Sequence, residues 1–145
     1  MSLPTAPMAM TYKPYKFGKS IAHAVLIWIV GFVWGMIVFM TPPLKSIPSV
    51  PFVSKFPAVS VPLLIVYVFL IYYLAKRYLA HADDRRIEAW KYGITLLLTS
   101  AILDTLVIVV AFKGHDYFSY LSIWIAYALL LFVPVRAAAG VPSRS

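Results

Sequence analysis

The sequence predicts an all-α integral membrane protein built as an antiparallel four-helix transmembrane bundle. Three observations predict it. Four apolar runs lie at about residues 21–40, 61–78, 92–112 and 117–136. Apolar residues make up 62% of the 145-residue chain against 12% charged, and a chain this short cannot hide so much apolar surface in one core. Lysine and arginine, finally, are distributed unevenly between the connections.

The first run, Ile21 to Met40, contains no Asp, Glu, Lys or Arg. At about 1.5 Å per residue it is long enough to cross roughly 30 Å of hydrocarbon. Lys13, Lys16 and Lys19 precede it, as basic residues precede a signal peptide. The stretch is too long for one, however, and ends in Met40-Thr41-Pro42-Pro43 instead of a small-residue cleavage site. A retained anchor is expected.

The connection 41–60 carries Pro42, Pro43, Pro48, Pro51 and Pro57, which oppose helix and sheet alike and predict an extended outer strap. The second run starts near Val61, with Pro62 suited to a first helical turn. It ends at Lys76 and Arg77, beyond which the basic loop 76–91 reads as a charged, amphipathic extension of this helix. The third run, Tyr92 to Phe112, is interrupted only by Asp104, and Lys113 to Asp116 turns the chain tightly into the fourth. The ends, 1–19 and 140–145, hold too little apolar surface to offset ordering entropy and are expected to be flexible tails around a single domain, 20–139.

Orientation follows from the cations, since short cytoplasmic loops collect lysine and arginine. Lys13, Lys16, Lys19, Lys76, Arg77, Arg85, Arg86, Lys91, Arg136 and Arg144, ten in all, fall on one side; Lys45, Lys55 and Lys113, three, fall on the other. Both termini are therefore expected in the cytoplasm of a plasma or inner membrane, with Lys76, Arg77, Arg85 and Arg86 meeting lipid headgroups. The net charge of +8 is absorbed by this pattern and does not indicate nucleic acid, which needs a water-exposed basic stripe.

Asp104 is the residue most suggestive of function, because an ionisable group deep in a span costs at least about 2.5–3.5 kcal/mol. Counted from Tyr92 it sits about 18 Å along its helix, level with Val33 and Trp34 of the first span, Leu64 to Tyr67 of the second and Ser122 to Tyr127 of the fourth. No cation lies at that level, so the neutral acid is favoured, with Ser100, Tyr67, Tyr127 or Trp124 as hydrogen-bonding companions. One reading makes Asp104 the proton or cation site of a small transporter. The other makes it a polar clasp between helices or toward another subunit.

Helix packing is expected at Gly31 and Gly35, a small-xxx-small pair, and along Ser119, Ser122 and Ala126. Tyr117, Tyr120, Trp124, Tyr127 and Leu131 would form an aromatic stripe on the fourth span, suited to bundle core or to a pigment or quinone. His81, Asp84 and Glu88 would share one face if the loop were helical, but the bland reading is a solvated, salt-bridged surface. With no cysteine and three scattered histidines, no metal, haem or other cofactor is expected. No catalytic motif is present either, so no enzyme is expected. The leading expectation is a non-enzymatic accessory or scaffolding subunit of a larger membrane complex, associating with membrane lipid and with other integral membrane subunits or copies of itself. The alternatives are a proton-coupled transporter using Asp104 and a pigment- or quinone-binding subunit.

Overall fold

The structure is a computed structural model that describes residues 14–40 and 57–140. It is all-helical over these residues. Helix α1 runs Phe17–Met40, α2 Pro57–Leu79, α3 Arg85–Leu103 and α4 Leu121–Ala139. The third helix continues without a break into a π-helical segment, Asp104–Ala111, and a short 3₁₀ turn, Tyr117–Ser119, precedes α4. Four stretches, Phe17–Val38, Ala58–Leu79, Arg85–Ala111 and Leu121–Ala139, are long and apolar enough to cross a membrane. The proline-rich strap, up to residue 56, and the outermost parts of both tails lie outside the described residues.

Several boundaries differ from the sequence reading, each for a local reason. The third helix begins at Arg85 and not Tyr92, because Asp84 caps it: its Oδ1 accepts from the backbone N–H of Arg86 and Ile87, both at 3.1 Å. The 76–91 region is thus not an extension of the second helix. That helix ends at Leu79, and residues 80–84 form the turn. The second helix starts at Pro57, so Pro62 lies inside it and not at its first position. The fourth begins at Leu121, four residues later than expected, since Tyr120 is extended. Tyr15 and Phe17 to Lys19 are ordered: the Tyr15 hydroxyl donates to the Lys91 carbonyl at 3.2 Å and lies 2.9 Å from Thr95 Oγ1.

The lateral order is α1, α2, α4, α3 around the bundle, with α3 against α4, α2 against α4 and α1 against α3 the main contacts. Two of these neighbours are parallel. His23 meets Tyr92, Trp28 meets Asp104 and Phe32 meets Phe112, so α1 and α3 run the same way. Successive helices alternate in direction, and the chain-distant neighbours, α1 with α3 and α2 with α4, are therefore parallel. Lys16, Lys19, Lys76, Arg77, Arg85, Arg86, Lys91 and Arg136 all belong to helix ends gathered at one end of the bundle, and Lys113 belongs to the other. Among the four expected headgroup cations, Arg77 donates to the Tyr73 hydroxyl at 2.9 Å and Lys76 lies over the Tyr72 ring, while Arg85 and Arg86 open α3.

A close backbone approach lies where α3 meets α4, at Gly93. A side chain there would meet the Leu131 carbonyl oxygen at 2.8 Å and the Leu130 carbonyl oxygen at 3.2 Å. Pro134, buried inside α4, has no N–H to offer the carbonyl of Leu130 one turn earlier. A glycine opposite lets the α3 backbone come up against that free carbonyl.

Candidate functional site

Asp104 is 6% exposed and sits where α3 gives way to π-helical geometry. The switch has a local cause. Thr105 turns its Oγ1 back onto the Ala101 carbonyl at 2.8 Å, which loosens the ladder, and Thr105, Val107, Ile108, Val109 and Val110 crowd a regular α-helix with β-branched side chains. By the end of the segment the Phe112 N–H bonds five residues back, to Val107. The third helix, which contains neither Gly nor Pro in this half, is nevertheless irregular at its one acid. Short π segments often accompany functional positions.

The carboxyl group is held from two sides. Trp28 Nε1 donates to Oδ1 at 2.9 Å from α1, and the Tyr127 hydroxyl donates to Oδ2 at 2.6 Å from α4. Tyr117, carried inward by the 3₁₀ turn, borders the same cavity as Asp104. Trp28 was not anticipated: depth counting selected Val33 and Trp34, five or six residues further along, because it took the first and third spans to start at Ile21 and Tyr92. The signal that was available is chemical. An indole N–H near the middle of a span needs an acceptor, and Asp104 is the one carboxylate within a predicted span.

Asp104 forms part of the wall of a cavity of about 120 Å³ lined by residues of all four helices. At about 10–15 Å³ per water, this holds several waters or one small organic molecule. Of the five expected site residues, Asp104, Tyr67, Ser100 and Tyr127 all border it. Trp124 does not: it is 55% exposed and donates its Nε1 to the Phe118 carbonyl at 2.8 Å. Ser100 is brought to the cavity but not bonded to Asp104; its hydroxyl is buried without a hydrogen-bond partner among the described residues.

The packing residues are redistributed in the same way. Gly31, Gly35, Ser122 and Ala126 border the cavity, whereas Ser119 is exposed in the 3₁₀ turn. Gly31 does not bring two backbones together. It clears space for the ring of Tyr67, whose hydroxyl occupies the place a Gly31 side chain would take. Gly31→Ala is accordingly expected to displace the flexible end of Tyr67, costing under about 1 kcal/mol, and the loss should vanish in Gly31→Ala/Tyr67→Phe. Chemical unfolding of the four proteins checks this; no coupling between the two positions would contradict the geometry.

The aromatic stripe does not form as one face, because α4 starts only at Leu121. Tyr117 and Tyr127 turn into the cavity, Trp124 turns out, and Tyr120 lies beside Asp116, with hydroxyl and carboxylate oxygens 3.4 Å apart.

Beyond the cavity floor, made in part by Ile27 and Leu130, lies an apolar layer. Ile27, Ile71, Ala75 and Leu96 there are at most 1% exposed. On its other side, toward the basic end, is a second polar cluster. His23 Nδ1 lies 2.8 Å from the Tyr92 hydroxyl, Tyr92 stacks on Tyr78 with ring centroids 4.6 Å apart, and Tyr15 bonds Ser20 and Thr95, both at 2.9 Å. His23, isolated in the sequence reading, is thus integrated into the bundle. His81 lies in the turn after α2 and Asp84 at the cap of α3, so the shared helical face imagined for His81, Asp84 and Glu88 does not exist. Glu88 instead pairs with Lys91 at 3.5 Å, and no cluster of three metal-ligating side chains occurs among the described residues. No protein-family model, curated protein or solved structure matches this chain.

Proposed function

We propose that the chain is a non-enzymatic, multi-pass membrane protein that binds a proton or small cation at Asp104 and couples that event to movement of a solute. The observation that carries this reading is the placement of Asp104: a carboxyl group on the wall of a central cavity, held by Trp28 and Tyr127, with no Lys, Arg or His among the residues bordering the cavity. Intramembrane acids facing an interior cavity are the usual sites of proton and ion handling. A clasp between helices requires the hydrogen bonds but not the cavity.

Two further features support coupling. Polar clusters stand on both sides of an apolar layer, the arrangement expected of a path closed at one level. The π segment at Asp104 gives the third helix a place where its hydrogen-bond ladder can reset by one residue. The ten-to-three partition of cations supports an orientation with the His23 cluster and both termini on the cytoplasmic side of a plasma or inner membrane.

The test is Asp104→Asn in proteoliposomes containing a pH-sensitive dye, challenged with a mixture of small inorganic and organic cations. An asparagine keeps the packing, since its Oδ1 accepts from Trp28 and its Nδ2 donates to the Tyr127 oxygen. We expect wild-type vesicles to show proton counterflow and the variant to lose it by at least about tenfold, as a removed proton site requires. Equal signals would sink the coupling role.

An accessory subunit of a larger membrane complex is the second reading. It is favoured by the outward-facing Leu121, Trp124 and Phe132 on one helix, at 73%, 55% and 56% exposure. A stoichiometric membrane partner after purification from mild detergent is the result it requires.

A further inference from the structure

The cavity has a lining that narrows the chemistry of its occupant. Six aromatic side chains border it: Trp28, Phe32 and Trp34 from α1, Tyr67 from α2, Tyr117 from the 3₁₀ turn and Tyr127 from α4. One of its walls carries the single carboxyl group, Asp104. Ring faces attract cations through their quadrupole, most strongly where water is excluded, and the carboxylate supplies the formal charge. A metal ion would need several oxygen ligands in one shell, whereas this lining offers a carboxylate already engaged by two donors and surrounded by rings. An organic ammonium, with its charge spread over alkyl groups, matches both features. An anion would find no cation among the bordering residues.

Ser100 adds an independent observation. It is 4% exposed, borders the cavity one turn before Asp104, and its Oγ has no hydrogen-bond partner among the described residues. A helical serine ordinarily satisfies its hydroxyl on the carbonyl one turn back, as Thr95 does with Lys91 at 2.8 Å and Thr105 with Ala101 at 2.8 Å. Buried hydroxyls left unpaired are uncommon. This one stands within a turn of the acid, where a second polar group of an occupant would lie.

We infer that the cavity binds a small organic ammonium ion, its cationic head between Asp104 and the aromatic side chains and a hydrogen-bonding group of the ligand at Ser100. The inference rests on the reading of Asp104 as a cation site and names the class of cation. It also supplies a reason for coupling: a carboxylate can hold a proton or an ammonium, but not both.

The experiment is calorimetric titration of the purified protein in micelles with choline, tetramethylammonium and 3,3-dimethylbutan-1-ol, the neutral carbon analogue of choline. Wild type is expected to bind both cations saturably, choline more tightly, and the neutral analogue at least about tenfold more weakly than choline, as desolvated cation–π and ionic contacts require. Asp104→Asn should weaken both cations by at least about tenfold and leave the analogue unchanged. Ser100→Ala removes an atom without a partner among the described residues, so folding is expected to be unaffected; choline affinity should fall to that of tetramethylammonium, which should not change. Equal binding of choline and its neutral analogue, unaltered choline binding in Asp104→Asn, or no saturable cation binding to wild type would each overturn the site. Unaltered choline binding in Ser100→Ala would overturn the hydroxyl contact. Ammonium binding without Asp104-dependent proton counterflow would leave this site standing and overturn the transport reading; counterflow without ammonium binding would do the reverse.

Discussion

Gly93→Val is expected to be among the most destabilising single substitutions in the bundle. A Cβ at residue 93 would lie 2.8 Å from the Leu131 carbonyl oxygen, 3.2 Å from the Leu130 carbonyl oxygen and 3.2 Å from the Leu131 Cα. All three are backbone atoms, so no side chain can swing aside, and α4 must move as a unit. Alanine should lose about 1–3 kcal/mol from overpacking, partly offset by its advantage over glycine in a helix, about 1 kcal/mol. Valine has a larger side chain and a smaller propensity gain, so its loss should exceed that of alanine. Gly18→Ala is the control, since nothing lies within 4 Å of the added atom, and it should be neutral or slightly stabilising. Unfolding in mixed micelles measures all three; a Gly93→Val midpoint equal to that of Gly18→Ala would mean that α3 and α4 do not meet there.

Removing both donors from Asp104 at once, in Trp28→Phe/Tyr127→Phe, is expected to cost about 2–6 kcal/mol. A buried polar group loses about 1–3 kcal/mol for each partner withdrawn, although interhelical hydrogen bonds in membranes average only about 0.6 kcal/mol and reach about 1.7. The higher scale should apply here because the two bonds, at 2.9 and 2.6 Å, serve one acid. A half-satisfied polar network is worse than an apolar one. Adding Asp104→Leu to the double variant should therefore recover most of the loss, although it is a third substitution at the same point in the core. Unfolding free energies of the wild type, double and triple variants provide the check, and a triple variant less stable than the double would show that the carboxyl group is not what the two donors serve.

These two sites show where the sequence is informative and where it is not. The Asp104 neighbourhood was half legible: Tyr67, Ser100 and Tyr127 follow from depth along antiparallel helices, while Trp28 was displaced by five residues because both helices begin earlier than their apolar runs. Lys19, Arg85 and Arg86 are charged yet helical, so a hydropathy boundary is not a helix boundary. Gly93 attracted no notice beside Gly31-Phe32-Val33-Trp34-Gly35, since a single glycine carries no spacing to read. Its partner feature, Pro134 in the interior of α4, marks a free carbonyl, and the sequence offers no means of telling which helix lies opposite.

What the chain determines alone is the number of apolar helices and the gathering of basic residues at one end of the bundle, because these depend on one-dimensional quantities, the length of an apolar run and the sign of the charges between runs. The lateral order α1, α2, α4, α3, the parallel register that joins Trp28 to Asp104, the π segment and the cavity were decided only by packing. Helices apolar on nearly every side have little periodicity to show which face turns inward, so their rotation and neighbours are set by where Gly93, Tyr67 and the donors of Asp104 fit together.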